Sequence, residues 1–414
     1  MILDEFVKEE LYLANGCTEP GAVAYAVSSG MEYLKGEVKE VLIEMDGFVY
    51  KNGKTTGIPG VHGYRGNEIA AALGMFVENP QEKKLEVLSD LDDKIIEKAA
   101  ENMNKIKIET LDKDHLYIHV TLTGEKKVET LLEYDHTNLL WIKVDDEIVY
   151  KGGKSNNEDD KKDGLENKIK EMSIAEIVNL VDDEFTNDHL EFLKDGLKRN
   201  MLLVETNDNK GTNIGNVYDK LAGNDLDKIK AVIANGVEAR MKGIPHPALA
   251  SSGSGDQGIT ISLGIYELGK MLNKSEEEIF KATLIGHLIT YYVKLFMGKL
   301  SSFCGLFVAA APGILAGFLY MDDLNDKIEE AIISFYGDTC GVLCDGAKST
   351  CALKAVSAFE SAYKYYILVK NGLHLEFPAG CVANNLPKTL ENISKLSGSN
   401  KGLNSSLIEI AREL

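Results

Sequence analysis

From Phe303 to Met321 the chain reads FCGLFVAAAPGILAGFLYM, nineteen residues without a charge. A helix of that length either spans a bilayer or is buried around its whole circumference in a large core. Two features select the core. Pro312–Gly313 interrupts the segment at its middle, where proline removes a backbone donor and clashes with the preceding turn. Small residues dominate it, and no second segment of this kind follows. A chain of 414 residues, 44% of them hydrophobic and 27% charged, has enough apolar surface to build such a core. The reading is a buried helix and no membrane.

The hydrophobic period changes twice. Residues 1 to about 35 read as helical, starting with the acidic amphipathic MILDEFVKEELYLANG, which is not a signal peptide. VKEVLIEMDGFVYK, KKLEVLS, HLYIHVTLTG, KKVETLLEY and LLWIKVDDEIVY then carry a strand-like pattern up to Tyr150. Two helical patterns, NEIAAALGMFV and DLDDKIIEKAAENMNK, interrupt them. The run KGGKSNNEDDKKDG, residues 151–164, has no apolar residue to bury and reads as a linker. Beyond it every periodic stretch is helical, with capping boxes at Ser173–Glu176 and Ser275–Glu278 and no useful strand pattern. The expectation is an α+β fold: a largely all-α catalytic domain, with an α+β domain inserted after the N-terminal helix. Residues 1–35 form a helical arm joining the catalytic domain, 36–164 the α+β domain with its linker, and 165–414 the all-α domain.

Sixty-five acidic against 45 basic residues give a formal charge of −20, which argues against a nucleic-acid partner. A small-molecule substrate fits better. Only four basic residues are arginine (Arg65, Arg199, Arg240 and Arg412), and arginine used so sparingly suggests a geometric task. Six cysteines without a secretory signal suggest a reducing cytoplasm, where clustered thiols bind metal or do chemistry. The apolar helical domain is compatible with a homodimer.

Three of the six cysteines fall within CGVLCDGAKSTC. On one unbroken helix Cys344 and Cys351 would lie about 10 Å apart, too far for one zinc ion with Zn–S bonds of about 2.3 Å. The intervening Asp345–Gly346 permits a turn that returns both sulfurs to one centre. Packing, zinc and an iron–sulfur cluster all remain open on spacing alone. Cys304 opens the apolar helix and by itself reads as a core residue. In HPALASSGSGDQG, Gly253, Gly255 and Gly258 match a dinucleotide motif, but no strand pattern precedes them. What survives is a Gly/Ser loop feeding a helix, whose free N–H groups suit an anion. NGCTEPG places Cys17, Thr18 and Glu19 in a turn at a helix start, where a thiol pKa falls. GIPGVHGYRGNE sets His62 and Arg65 in a glycine-rich loop.

In this order the pieces resemble the L-cysteine desulfidase family, relatives of the iron–sulfur L-serine dehydratases. The similarity to the desulfidases looks full-length; with the dehydratases it is confined to short motifs. CDGAKSTC resembles the dehydratase Cys-Asp-Pro…Pro-Cys motif, with a shorter gap and neither proline. FCGLFVAAAPG resembles their Gly-Cys-Gln-Gly segment, SGSGDQG their Asn-Gly-Ala-Ala-Gly loop, and NGCTEP their substrate turn. The resemblance implies that Cys304, Cys344 and Cys351 hold a [4Fe–4S] cluster. Cys340 and Cys381 match no motif position. It also implies an oxygen-sensitive enzyme converting L-cysteine to hydrogen sulfide, ammonia and pyruvate.

Three thiolates leave one iron without a protein thiolate, an open Lewis-acid position for the substrate sulfur. Cys17 is the candidate base for the α-proton, with His62 as runner-up. The loop Ser252, Gly253, Ser254, Gly255 and Asp256, helped by Thr18, is assigned the substrate carboxylate. Glu19 is assigned the ammonium; Arg65 and Lys348 are further carboxylate candidates. L-serine dehydration by the same chemistry is the nearest alternative, and a non-catalytic iron–sulfur carrier or sensor the next. A pyridoxal-phosphate lyase would require a Schiff-base lysine, for which Lys348 stands.

Overall fold

Two hydrophobic clusters hold most of the buried apolar side chains, one built mainly by helices and one by a sheet with its covering helices. The computed structural model describes residues 1–413 apart from 35, 90, 114, 154–163, 209–212, 299 and 400. Most of the expected linker therefore lies outside the described residues.

The chain visits both clusters within its first thirty residues. The helix Ile2–Glu10 buries Leu3, Phe6 and Val7 in the helical cluster. The next five residues, Leu11–Asn15 (β1), are a strand where helix was expected. β1 pairs antiparallel with Pro247–Ser251 (β8), a strand in the half expected to have none. Five residues are too short for a periodic signal, and this ladder forms only because two distant segments meet. The chain then crosses to the other cluster, where the helix Thr18–Met31 buries Ala22 through Val27.

The second sheet holds Glu40–Asp46 (β2), Ile106–Leu111 (β3), Tyr117–Thr123 (β4), Lys127–Glu133 (β5), Leu139–Val144 (β6) and Glu147–Lys151 (β7). Its order is β3-β2-β4-β5-β6-β7, with β2 and β3 parallel and the other pairs antiparallel. Val41, Ile43 and Met45 of β2 and Ile118, Val120 and Leu122 of β4 face one side, as a period of two requires. Residues 83–89 do not join the sheet. Pro80 starts a helical turn, Pro80–Lys83, that passes into Lys84–Glu86, and Leu85 and Leu88 are buried at helical spacing.

In the helical part both expected capping boxes form, at Ser173 and Ser275. The uncharged segment becomes a π-helical turn, Leu306–Ala310, leading into the buried helix Ala311–Met321. It packs against Glu276–Met297 with no room for side chains at the crossing. A Cβ on Gly313 would stand 2.3 Å from the Gly286 carbonyl oxygen and 2.4 Å from Thr290 Oγ1. Its small residues thus serve close helix–helix approach. Among the described residues no helix is long and apolar enough to cross a membrane.

Candidate active site

The cysteine turn meets the start of the apolar helix through a two-residue antiparallel bridge, Phe303 with Leu343. Cys304 N–H donates to the Val342 carbonyl at 2.7 Å, and Cys344 N–H to the Ser302 carbonyl at 2.8 Å. Cys304 thus lies opposite Val342 and diagonal to Cys344, so both cysteines point to one face of the bridge. Cys351 is the first residue of the helix Cys351–Lys370. The chain reaches it through Gly346, at φ 107°, a conformation glycine adopts without strain. Cys344 and Cys351 therefore do not share one helix.

All three cysteines line a cavity of about 100 Å³, several times what one water needs. Cys17, Thr18, Glu19, Asn52, Arg240 and Asp256 line the same cavity. Burial, with the neighbouring Cys344, pushes the Cys304 thiol up to about 11, and burial raises Cys351 further. Unaided, the protein keeps these groups as neutral thiols; a soft metal centre would supply the positive charge needed to ionise them. Among the described residues no three His, Cys, Asp or Glu side chains converge as a single metal ion requires. A cluster in which each thiolate takes a different iron fits three cysteines, two buried and one half-buried, spread around one cavity.

Cys17 is the N-cap of the helix Thr18–Met31, as its turn suggested. Its thiol does not have the lowered pKa expected there. Complete burial and the adjacent Glu19 charge raise it well above the usual range, and Sγ donates to Glu19 Oε2 at 2.9 Å. Burial also works against the Glu19 charge. His136 and the hydrogen bonds from Cys17 and from Asn52 Nδ2, the latter at 2.9 Å to Oε1, outweigh it and hold the carboxyl below its usual range. Thr18 Oγ1 lies 3.0 Å from Glu19 Oε2 and 3.3 Å from the Gly253 carbonyl, which joins this turn to the Gly/Ser loop.

That loop leaves β8 through Ser252 and Gly253, both at positive φ, and enters the helix Gly255–Met271. A short strand does precede the glycines, but among the described residues it pairs antiparallel with β1 alone, not within the parallel sheet of a dinucleotide-binding fold. Gly258 lets helix and strand touch: a Cβ there would stand 1.8 Å from the Leu249 carbonyl oxygen. Gly253, Ser254 and Asp256 line the cavity, whereas Ser252 lines a neighbouring one. Gly255 is where the loop backbone meets Arg240; a Cβ would stand 2.3 Å from Nε. Arg240 is 3% exposed, pairs with Asp256 through Nη1 at 2.8 Å, and keeps its buried Nε without a partner.

Three sequence candidates lie elsewhere. His62 and Arg65 are exposed in their loop, and His62 lines a separate cavity with Lys242 and Pro245. Lys348 pairs with Asp345 and does not line the cysteine cavity. Conversely, Arg240, Asn52, Gln257 and Lys294 line it without having been assigned. The rarity of arginine was the one available signal for Arg240.

The serine dehydratase alpha chain family matches residues 82–403. A UPF0597 protein of Clostridium perfringens is 37% identical over 404 residues, covering 94% of this chain and 92% of the relative. Those of Kosmotoga olearia and Geobacter sulfurreducens are 34% and 32% identical, covering 95% and 96% of this chain and 94% of each relative. Cys304, Cys344 and Cys351 fall within the matched span, Cys17, Thr18, Glu19 and Asn52 of the same cavity precede it, and the chain belongs to the serine dehydratase alpha chain family.

Proposed function

We propose that the chain is an iron–sulfur-dependent lyase that eliminates sulfide from L-cysteine, giving hydrogen sulfide, ammonia and pyruvate. The observation that carries the reading is the convergence of Cys304, Cys344 and Cys351 with Cys17, Glu19, Arg240 and Asp256 on one cavity. Cys304, Cys344 and Cys351 would hold a [4Fe–4S] cluster, which supplies a Lewis-acidic iron without a protein thiolate. The remaining tasks fall to the chain itself. Arg240, fixed by Asp256, and the N-terminus of the Gly255 helix orient the substrate carboxylate. The Cys17–Glu19 pair holds one proton and one negative charge, and can accept a second proton. Cys17 Sγ takes the α-proton as its own proton passes to Glu19 Oε2. Burial of these groups excludes bulk water from the proton transfer.

The family's description favours a second reading, L-serine dehydration by the same groups. Protein purified without oxygen tests both. Its iron content and visible spectrum are recorded, and sulfide and pyruvate are assayed from L-cysteine and L-serine in parallel. Faster pyruvate release from serine selects the second reading. An iron-free preparation that is fully active rejects the cluster. Iron–sulfur absorption without turnover of either amino acid selects a carrier.

A further inference from the structure

Lys51 is a lysine where lysines are seldom found. It sits in the short helix Gly47–Gly53, is 2% exposed, and reaches across to the cysteine turn, donating from Nζ to the Cys344 carbonyl. The neighbouring residues make the same crossing. Thr55 Oγ1 donates to the Ala347 carbonyl at 3.2 Å, and Asn52 Oδ1 lies 3.8 Å from Cys344 Sγ. Gly346 packs against the Lys51 backbone so closely that a Cβ would stand 2.7 Å from its carbonyl oxygen. The turn carrying Cys344 is thus seated on this short helix.

Three other cations at the cavity or the cysteine turn have carboxylate partners. Arg240 has Asp256, Lys354 has Asp345, and Lys348 has Asp345 as well. Lys51 has no carboxylate among the described residues; its polar partner is the carbonyl, and the Phe48 ring lies 5.5 Å away. A buried ammonium without an anion is costly, and an anion formed close to it would offset that cost. Cys344, Cys304 and Cys351 become anionic when they ligate iron, and Cys344 is the residue Lys51 touches.

We propose that Lys51 is the fixed counter-charge of the cysteine centre, a positioning residue that stabilises the ligated thiolates through the Cys344 turn. This rests on the iron–sulfur reading above. It gives Lys51 opposite effects in the two states of the protein: unfavourable in the iron-free chain, favourable once the thiolates form.

The test is Lys51→Met, which keeps the stem and removes the charge, with Lys51→Arg as a charge-retaining companion. The iron-free Met variant should unfold at the same or higher urea concentration than iron-free wild type. The reconstituted Met variant should lose iron to a chelator at least tenfold faster than wild type, and its cluster should be reduced at a more negative potential. Lys51→Arg should recover part of both iron-dependent properties. A Met variant that is less stable without iron, yet holds iron at wild-type rate and potential, overturns the proposal and makes Lys51 a structural anchor. If either variant fails to fold, Lys51→Gln decides: it keeps an N–H donor and removes the charge, and iron loss at the wild-type rate in that variant overturns the proposal. A wild type that takes up no iron rejects the iron–sulfur reading itself, and the proposal with it.

Discussion

Cys17 Sγ donates its proton to Glu19 Oε2 at 2.9 Å, two residues along the same turn. The thiol is therefore neutral at rest and the carboxylate ionised. Cys17→Ser should keep iron and lower kcat by about 10²–10⁴, the usual weight of a positioned proton-transfer group. Glu19→Gln should do the same. Loss of iron in Cys17→Ser would make Cys17 a cluster ligand instead. Because the depressed Glu19 carboxyl must be ionised, turnover should fall as pH drops through its folded-state value, and Glu19→Gln should lose that acidic limb.

Cys304, Cys344 and Cys351 line the cavity, while Cys340 and Cys381 do not. Alanine at any of the first three should abolish stoichiometric iron binding. Cys340→Ser and Cys381→Ser should leave the iron content and visible spectrum unchanged. Iron retained in Cys304→Ala would remove the bridge between Phe303 and Leu343 as the frame of the site.

Arg240 and Asp256 form a buried ion pair at the cavity wall. Removing one partner of such a pair leaves a buried charge and costs about 3–5 kcal/mol, so Arg240→Ala should be poorly folded. Arg240→Lys keeps the charge and loses the planar fork. Its KM for L-cysteine should rise tenfold or more, while inhibition by cysteamine, which lacks the carboxylate, should be unchanged. An equal weakening of both would place the carboxylate elsewhere.

His287 is buried completely, with Nδ1 3.0 Å from Ser251 Oγ, and burial lowers its pKa to about 3. In an unfolded chain histidine titrates near ~6.5. Below that value the unfolded state binds a proton that the folded state refuses. Stability from this residue is therefore complete above ~6.5 and falls as pH drops, by at most about 1.4 kcal/mol per pH unit. Burial raises Asp46 to about 6, which works in the opposite direction as pH falls toward 4. The difference between wild type and His287→Gln in urea unfolding at pH 7 and pH 5 isolates His287; an identical pH response would reject the assignment.

Gly313→Ala should destabilise the protein by about 1–3 kcal/mol, the cost of forcing a methyl into a filled contact. The neighbours it meets, the Gly286 carbonyl and Thr290, belong to the facing helix. Urea unfolding measures this directly, and a neutral result would show that the two helices can separate.

Local residue pattern fixed the larger elements. Alternation marked β2 and β4, capping boxes marked the helices after Ser173 and Ser275, and the uncharged run with its proline marked a buried helix. Each signal lies within a few residues, so a single sequence carries it. Motif order also pointed to the three cysteines and the Cys17–Glu19 turn. β1 and β8 escaped because neither is a strand without the other. The charge state of Cys17 could not be read either: a helix N-terminus lowers a thiol pKa, but complete burial beside Glu19 raises it by more. The same holds for Arg240, Asn52 and Lys51, which lie far in sequence from the cysteine turn that they meet in space. Sequence supplied the thiols, glycines and periodicities; tertiary structure alone decided which charges meet in one buried volume, because desolvation and Coulomb energy depend on distances through space, not along the chain.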